Sequence, residues 1–133
     1  MKKIISLVAL SILITSPFVS AGEYLNLEER QAKLCNKTSH GKHMKSGWEW
    51  DQQSASTCDR VSGTYTEGKK KGKTYDRRVT GYDNGEVCVH LENGKESCNK
   101  AKAMDDGTVQ LFATNGKWKG QHVVTISNIK DVE

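Results

Sequence analysis

The chain has 133 residues, with 20 Lys+Arg against 16 Asp+Glu, 4 Cys, 12 Gly and a single Pro. That length fits one ordinary domain and excludes repeat arrays, large multi-domain enzymes and multi-pass membrane proteins.

Residues 1–21 read as an export signal. Lys2 and Lys3 give a basic start, Ile4 to Leu13 form an almost unbroken apolar run, and Pro17 breaks any helix. Val19-Ser20-Ala21 then places small residues where a signal peptidase cuts. A retained anchor is the competing reading, but the run is short of the roughly 20 residues a bilayer span needs. Gly22 rather than Cys follows the cut, so a lipoprotein is not indicated. The expectation is a single domain over 22–133, periplasmic or secreted, with no membrane span after cleavage. Setting aside Lys2 and Lys3 leaves 18 basic against 16 acidic side chains. That balance disfavours a dedicated nucleic-acid binder, whose footprint is a strongly basic domain. Only 34 apolar residues remain in the mature part, a thin core that covalent staples would help. All four cysteines lie there, and disulfides are the default for exported chains.

In chain order, Leu25 to Leu34 suits a short helix, with Asn26 as N-cap and Glu28 and Glu29 in its first turn. Leu27 and Leu34 share one face of it. Asn36 to Lys45 reads as loop. Gly47-Trp48-Glu49-Trp50 alternates as a strand does, and Gly63-Thr64-Tyr65-Thr66 begins another. Glu67 to Lys73 is a polar turn leading into a strand over Thr74 to Tyr82.

From there one punctuation recurs: Asp83-Asn84-Gly85, Glu92-Asn93-Gly94, Asp105-Asp106-Gly107 and Thr114-Asn115-Gly116. Gly in the third position suits a three-residue hairpin loop ending in a left-handed residue, and a two-residue Asn-Gly turn is the alternative. Three-residue loops set Val79 opposite Val89, Gly81 opposite Val87, Val89 opposite Ser97, Leu91 opposite Lys95, Ala103 opposite Val109 and Ala101 opposite Leu111. One face then collects Val79, Gly81, Val87, Val89, Leu91, Ala101, Ala103, Val109, Leu111 and Ala113. A one-residue slip would scatter that face, because side chains alternate with period two. The same register puts Cys88 opposite Cys98, about 4.5 Å apart at Cα if the pair is non-hydrogen-bonded. Pairing Cys88 with Cys98 leaves Cys35 for Cys58, one of three possible connectivities. The expected fold is all-β and mainly antiparallel. It is an up-and-down meander of about seven or eight strands, forming a curled sheet or small barrel with a short N-terminal helix. A two-sheet sandwich is the alternative.

Trp48-Glu49-Trp50, Gly63-Thr64-Tyr65 and Gly85-Glu86-Val87-Cys88, with a second Cys ten residues on, resemble small secreted bacterial β-domain proteins of uncharacterised function. The resemblance spans about residues 46–113. It implies a compact β domain and carries over no activity or catalytic residue.

Three clusters bear on chemistry. Cys35, His40, His43 and Met44 offer soft and borderline donors suited to copper or zinc, against the plainer reading of a solvated polar loop. A disulfide at Cys35 would remove its thiolate. Lys69, Lys70, Lys71, Lys73, Arg77 and Arg78 form a basic hairpin able to attract an acidic partner, or simply to keep an edge soluble. Trp48, Trp50, Trp118 and Phe112 supply rings, with Phe112 set opposite Trp118. Those rings either pack a second small core or mark a binding surface. His90 falls opposite Glu96, where a cross-strand ion pair is the simple account. There is no G-x-S-x-G elbow and no phosphate-cradling glycine loop, and cysteines in disulfides are not nucleophiles.

The expected function is therefore non-enzymatic and cofactor-free. The preferred form is an exported binding domain of inhibitor or immunity type, recognising a protein or cell-envelope component through its hairpin tips. Two alternatives remain: a periplasmic copper or zinc protein using His40, His43 and Met44, and a small barrel holding an apolar ligand.

Overall fold

The computed structural model describes residues 23–132. The export signal expected over 1–21 lies outside the described residues. Helix α1 (Leu27–Leu34) is followed by β1 (Lys37–His43), β2 (Glu49–Ser54), β3 (Arg60–Glu67), β4 (Thr74–Gly81), β5 (Val87–His90), β6 (Glu96–Ala103), β7 (Val109–Ala113) and β8 (His122–Asp131). Every strand pairs with its sequence neighbours, and β8 returns to β1, so the eight strands close an antiparallel barrel. Closure removes the free edges a curled sheet would carry. Among the described residues no helix is long and apolar enough to cross a membrane.

The first three Gly-ended turns form as the sequence predicts. Tyr82 with Glu86, Leu91 with Lys95 and Met104 with Thr108 close their loops by backbone hydrogen bonds. Gly85, Gly94 and Gly107 sit at φ 89°, 82° and 87°. The predicted pairs Val79–Val89, Gly81–Val87, Val89–Ser97, Ala103–Val109 and Ala101–Leu111 are all present, as are Cys88–Cys98 and His90–Glu96. The cysteines pair as expected: Cys88 with Cys98, Cα atoms 4.0 Å apart, and Cys35 with Cys58 at 5.2 Å. Two disulfides fit an oxidising compartment.

Two expectations need correction. The stretch Asn36–Lys45 is not a loop, because Lys37–His43 forms the strand that closes the barrel against both β2 and β8. And Thr114-Asn115-Gly116 does not close a three-residue hairpin. Ala113 instead bonds Gln121 and Gly120, and Phe112 pairs with His122 rather than Trp118. The cause is Asn115, whose side chain accepts from Cys98 N and donates to Glu96 O, both at 3.0 Å. It caps the neighbouring β6 instead of tightening its own turn.

The two barrel ends differ. The N-terminal segment pairs at Tyr24 with Lys102. It then drives Leu25 into a cluster with Ala101, Val109, Leu111 and Ile126. Helix α1 lies across this end. Its Asn26 and Glu29 form a reciprocal capping box. Leu27 packs against Gly81 so closely that an added Cβ would stand 2.7 Å from the leucine methyl. The Cys35–Cys58 link ties the helix end to the β2–β3 connection. Gly81 and Ala101 therefore serve close packing at the floor. At the opposite end the β1–β2, β3–β4, β5–β6 and β7–β8 connections surround a mouth.

Candidate functional site

Between the helical floor and the mouth lies a cavity of about 550 Å³. Its wall is made by the inward-facing positions of the meander. Val79, Val87, Val89, Leu111, Val124 and Ile126 line the aliphatic side. Trp48, Trp50, Tyr65 and Tyr75 line the other, with Trp48, Trp50 and Tyr75 each within 6.2 Å of the Tyr65 ring, centre to centre. These rings need small partners on neighbouring strands. A Cβ at Gly41 would fall 2.3 Å from the Trp50 indole, and one at Gly63 would meet Tyr75 at 2.8 Å. The glycines are where the aromatics lie flat across the barrel.

The polar atoms of this wall are largely satisfied. Gln52 Oε1 accepts from Trp50 Nε1 at 2.9 Å and from the Tyr75 hydroxyl at 3.1 Å, while its amide nitrogen donates to Ser39 Oγ at 3.3 Å. Burial pushes the Tyr75 phenol well up, so it stays a neutral donor. Arg77 reaches in from β4 and donates to both carboxylate oxygens of Glu92, at 2.8 and 3.2 Å. Burial is the largest single influence on Arg77 and opposes its charge, but the Glu92 hydrogen bond and the Glu92 and Tyr65 interactions together outweigh it, and its pKa is raised. The same hydrogen bond holds the Glu92 carboxyl below its usual range.

Arg30 is different. It projects from α1 into the floor and is only 7% exposed. Its Nη1 donates to the Asn99 carbonyl at 3.3 Å, and no carboxylate pairs with it among the described residues. Desolvation lowers its pKa to about 10. No sequence motif marks Arg30, yet the helix period carries it: Leu27, Arg30 and Leu34 repeat at three- and four-residue steps along one stripe.

The residues singled out from sequence are dispersed by the fold. His40 points outward, its Nδ1 and Nε2 each 2.8 Å from a carboxylate oxygen, of Asp51 and Glu49 respectively. The Asp51 hydrogen bond, with Glu49 behind it, raises its pKa despite partial burial. His43 points inward at the mouth. Its Nδ1 accepts from Lys45 N and Ser46 N, both at 3.2 Å, and its ring tilts on Trp118 at 5.1 Å. Burial, with the Lys45 charge behind it, lowers its pKa. Met44 is exposed and accepts from Thr125 Oγ1 at 3.4 Å. The Cys35 sulfur is in a disulfide. No shared coordination sphere forms from these four. Glu86 does approach Cys88 and Cys98 within 4.8 Å, but both sulfurs are bonded to each other and neither is a thiolate.

The basic patch also divides. Lys69, Lys71, Lys73 and Arg78 are exposed, whereas Arg77 turns inward to Glu92. Lys70 lies over Trp48 and Tyr65, 5.0 and 5.5 Å from their ring centres, at the rim of the mouth. Phe112 and Trp118 do not meet. Phe112 packs outside the barrel edge-on to Tyr24 and near His122, at 5.8 and 5.4 Å. His90 makes the expected contact with Glu96 at 3.2 Å.

The chain matches no family model, no curated protein and no solved structure.

Proposed function

We propose that this protein is an exported binding protein that holds a small, largely apolar molecule inside its barrel. The cavity carries the proposal. Eight-stranded barrels are either filled by their own side chains or just wide enough for one small ligand. Here about 550 Å³ lies open behind an aromatic mouth, within the range of known ligand sites. An apolar and aromatic lining with a few fixed polar groups is the usual composition of such sites. The hairpin tips at Lys69–Lys73 and Glu92–Lys95 flank this entrance, and Lys70 and Glu92 are engaged with its wall. Export fits the two disulfides and the leader-like residues 1–21.

The test is equilibrium binding of the uncharged fluorescent probe N-phenyl-1-naphthylamine. Saturable one-to-one binding is expected, weakened at least about tenfold by Val89→Phe, which fills the cavity while a circular-dichroism melt verifies the fold. Absence of saturable binding, or equal affinity in the filled variant, contradicts the proposal.

A further inference from the structure

The cavity holds two guanidinium groups with different surroundings. Arg77, near the mouth, is neutralised within the protein by Glu92 at 2.8 Å. Arg30, at the floor, is buried and has one hydrogen bond, a long one of 3.3 Å to a backbone carbonyl, with no counter-charge among the described residues. A guanidinium carries five donors in a planar fork, so most of its capacity is uncommitted. Beside it the Asn99 side chain, also buried and also lining the cavity, has an oxygen with no hydrogen-bond partner. Its amide can turn to offer N–H groups as readily as oxygen.

Buried charge without a partner is costly, and buried polar side chains are normally satisfied. Two adjacent exceptions facing the same apolar cavity mark the place where a ligand completes the pairing. The fork of arginine matches carboxylate or phosphate oxygens two at a time. Above Arg30 the wall turns apolar at Val87, Val89 and Leu111, then aromatic toward Trp50 and Tyr65.

We propose that the ligand is an amphipathic organic anion, bound with its carboxylate or phosphate head on Arg30 and Asn99 at the floor and its apolar body toward the mouth. This rests on the barrel interior being the binding site, and the experiment separates the two. Dodecanoate, dodecyl phosphate and uncharged 1-dodecanol, all below micellar concentration, compete against bound N-phenyl-1-naphthylamine on wild type and on Arg30→Met. In wild type at least one anion displaces the probe about tenfold more tightly than dodecanol, as expected for hydrogen bonds to a charged group. The tighter of the two anions identifies the head group. In Arg30→Met the preference falls to within about twofold, while the neutral probe still binds. Arg30→Lys keeps the charge without the fork and retains part of the preference.

Equal affinity of both anions and dodecanol for wild type overturns the assignment without recourse to any variant. A preference that survives in Arg30→Met overturns it as well. Probe binding without anion preference leaves the cavity as a site for neutral ligands. Failure of probe, alcohol and anions alike overturns both proposals.

Discussion

His40 and His43 stand three positions apart on β1, and the two imidazoles face opposite sides of the barrel wall. Such neighbours suggest a shared ligand only while their segment is taken for a loop. Lys37–His43 conceals its strand character because its inward positions are Ser39, Gly41 and His43, none of them apolar, and Gly41 leaves room for Trp50 from β2. No apolar alternation is left to read. Arg30 was legible in principle, since it shares the Leu27–Leu34 stripe, but a charged residue on an apolar stripe is easily assigned to solvent. The environment of His40 has a consequence for stability. Its pKa is raised in the folded state, chiefly by the Asp51 hydrogen bond. Folding therefore gains from it fully below the unfolded value of about 6.5, and the gain disappears as pH rises through the folded value. Denaturant midpoints for wild type and His40→Gln are expected to differ at pH 5.5 and to converge by pH 9. A gap that is unchanged, or that widens at pH 9, contradicts the ion-pair account.

At the scale of elements, the hairpins from β4 to β7 were legible because turn chemistry and pattern are local. Each has an Asx residue bonding two positions on and a left-handed glycine closing the loop. The fourth turn defeats the same rule through Asn115, which is occupied across the sheet by Cys98 N and Glu96 O. Closure of β8 on β1 was also beyond local signals. It needs a register shift between Thr38 and His40, opposite which Asn128 adopts φ 52°. Helix α1 is the element on which the floor depends, and only eight residues form it. So short a helix is unstable alone and is held by packing, by its capping box and by the Cys35–Cys58 link. Replacing both cysteines by Ser should lower unfolding free energy by about 3 kcal/mol, from the loop-closure entropy of a 23-residue separation. Amide exchange should accelerate first in α1, ahead of β5–β7. Uniform acceleration across the barrel would show instead that the link does not act through the helix.

For the whole molecule, the fold turns a thin core into a wall around a space. The apolar face predicted from three turns is the inner surface, and much of it does not pack against itself. Small residues could have meant either a filled barrel or a hollow one. Gly81 and Ala101 fill the floor against Leu27 and Leu25, whereas the space persists between Val89 and the Tyr65 cluster. The basic hairpin loses its coherence for the same reason, because alternation sends Arg77 inward and Arg78 outward. The measurement that tests the central claim most directly is an amide and arginine side-chain NMR titration of the wild-type protein with dodecanoate. Binding inside the barrel predicts shifts at Arg30, Gly41, Tyr75, Val89 and Asn99, with Lys69, Lys71 and Arg78 little changed. Shifts confined to those three outer residues, or none at all, would contradict it.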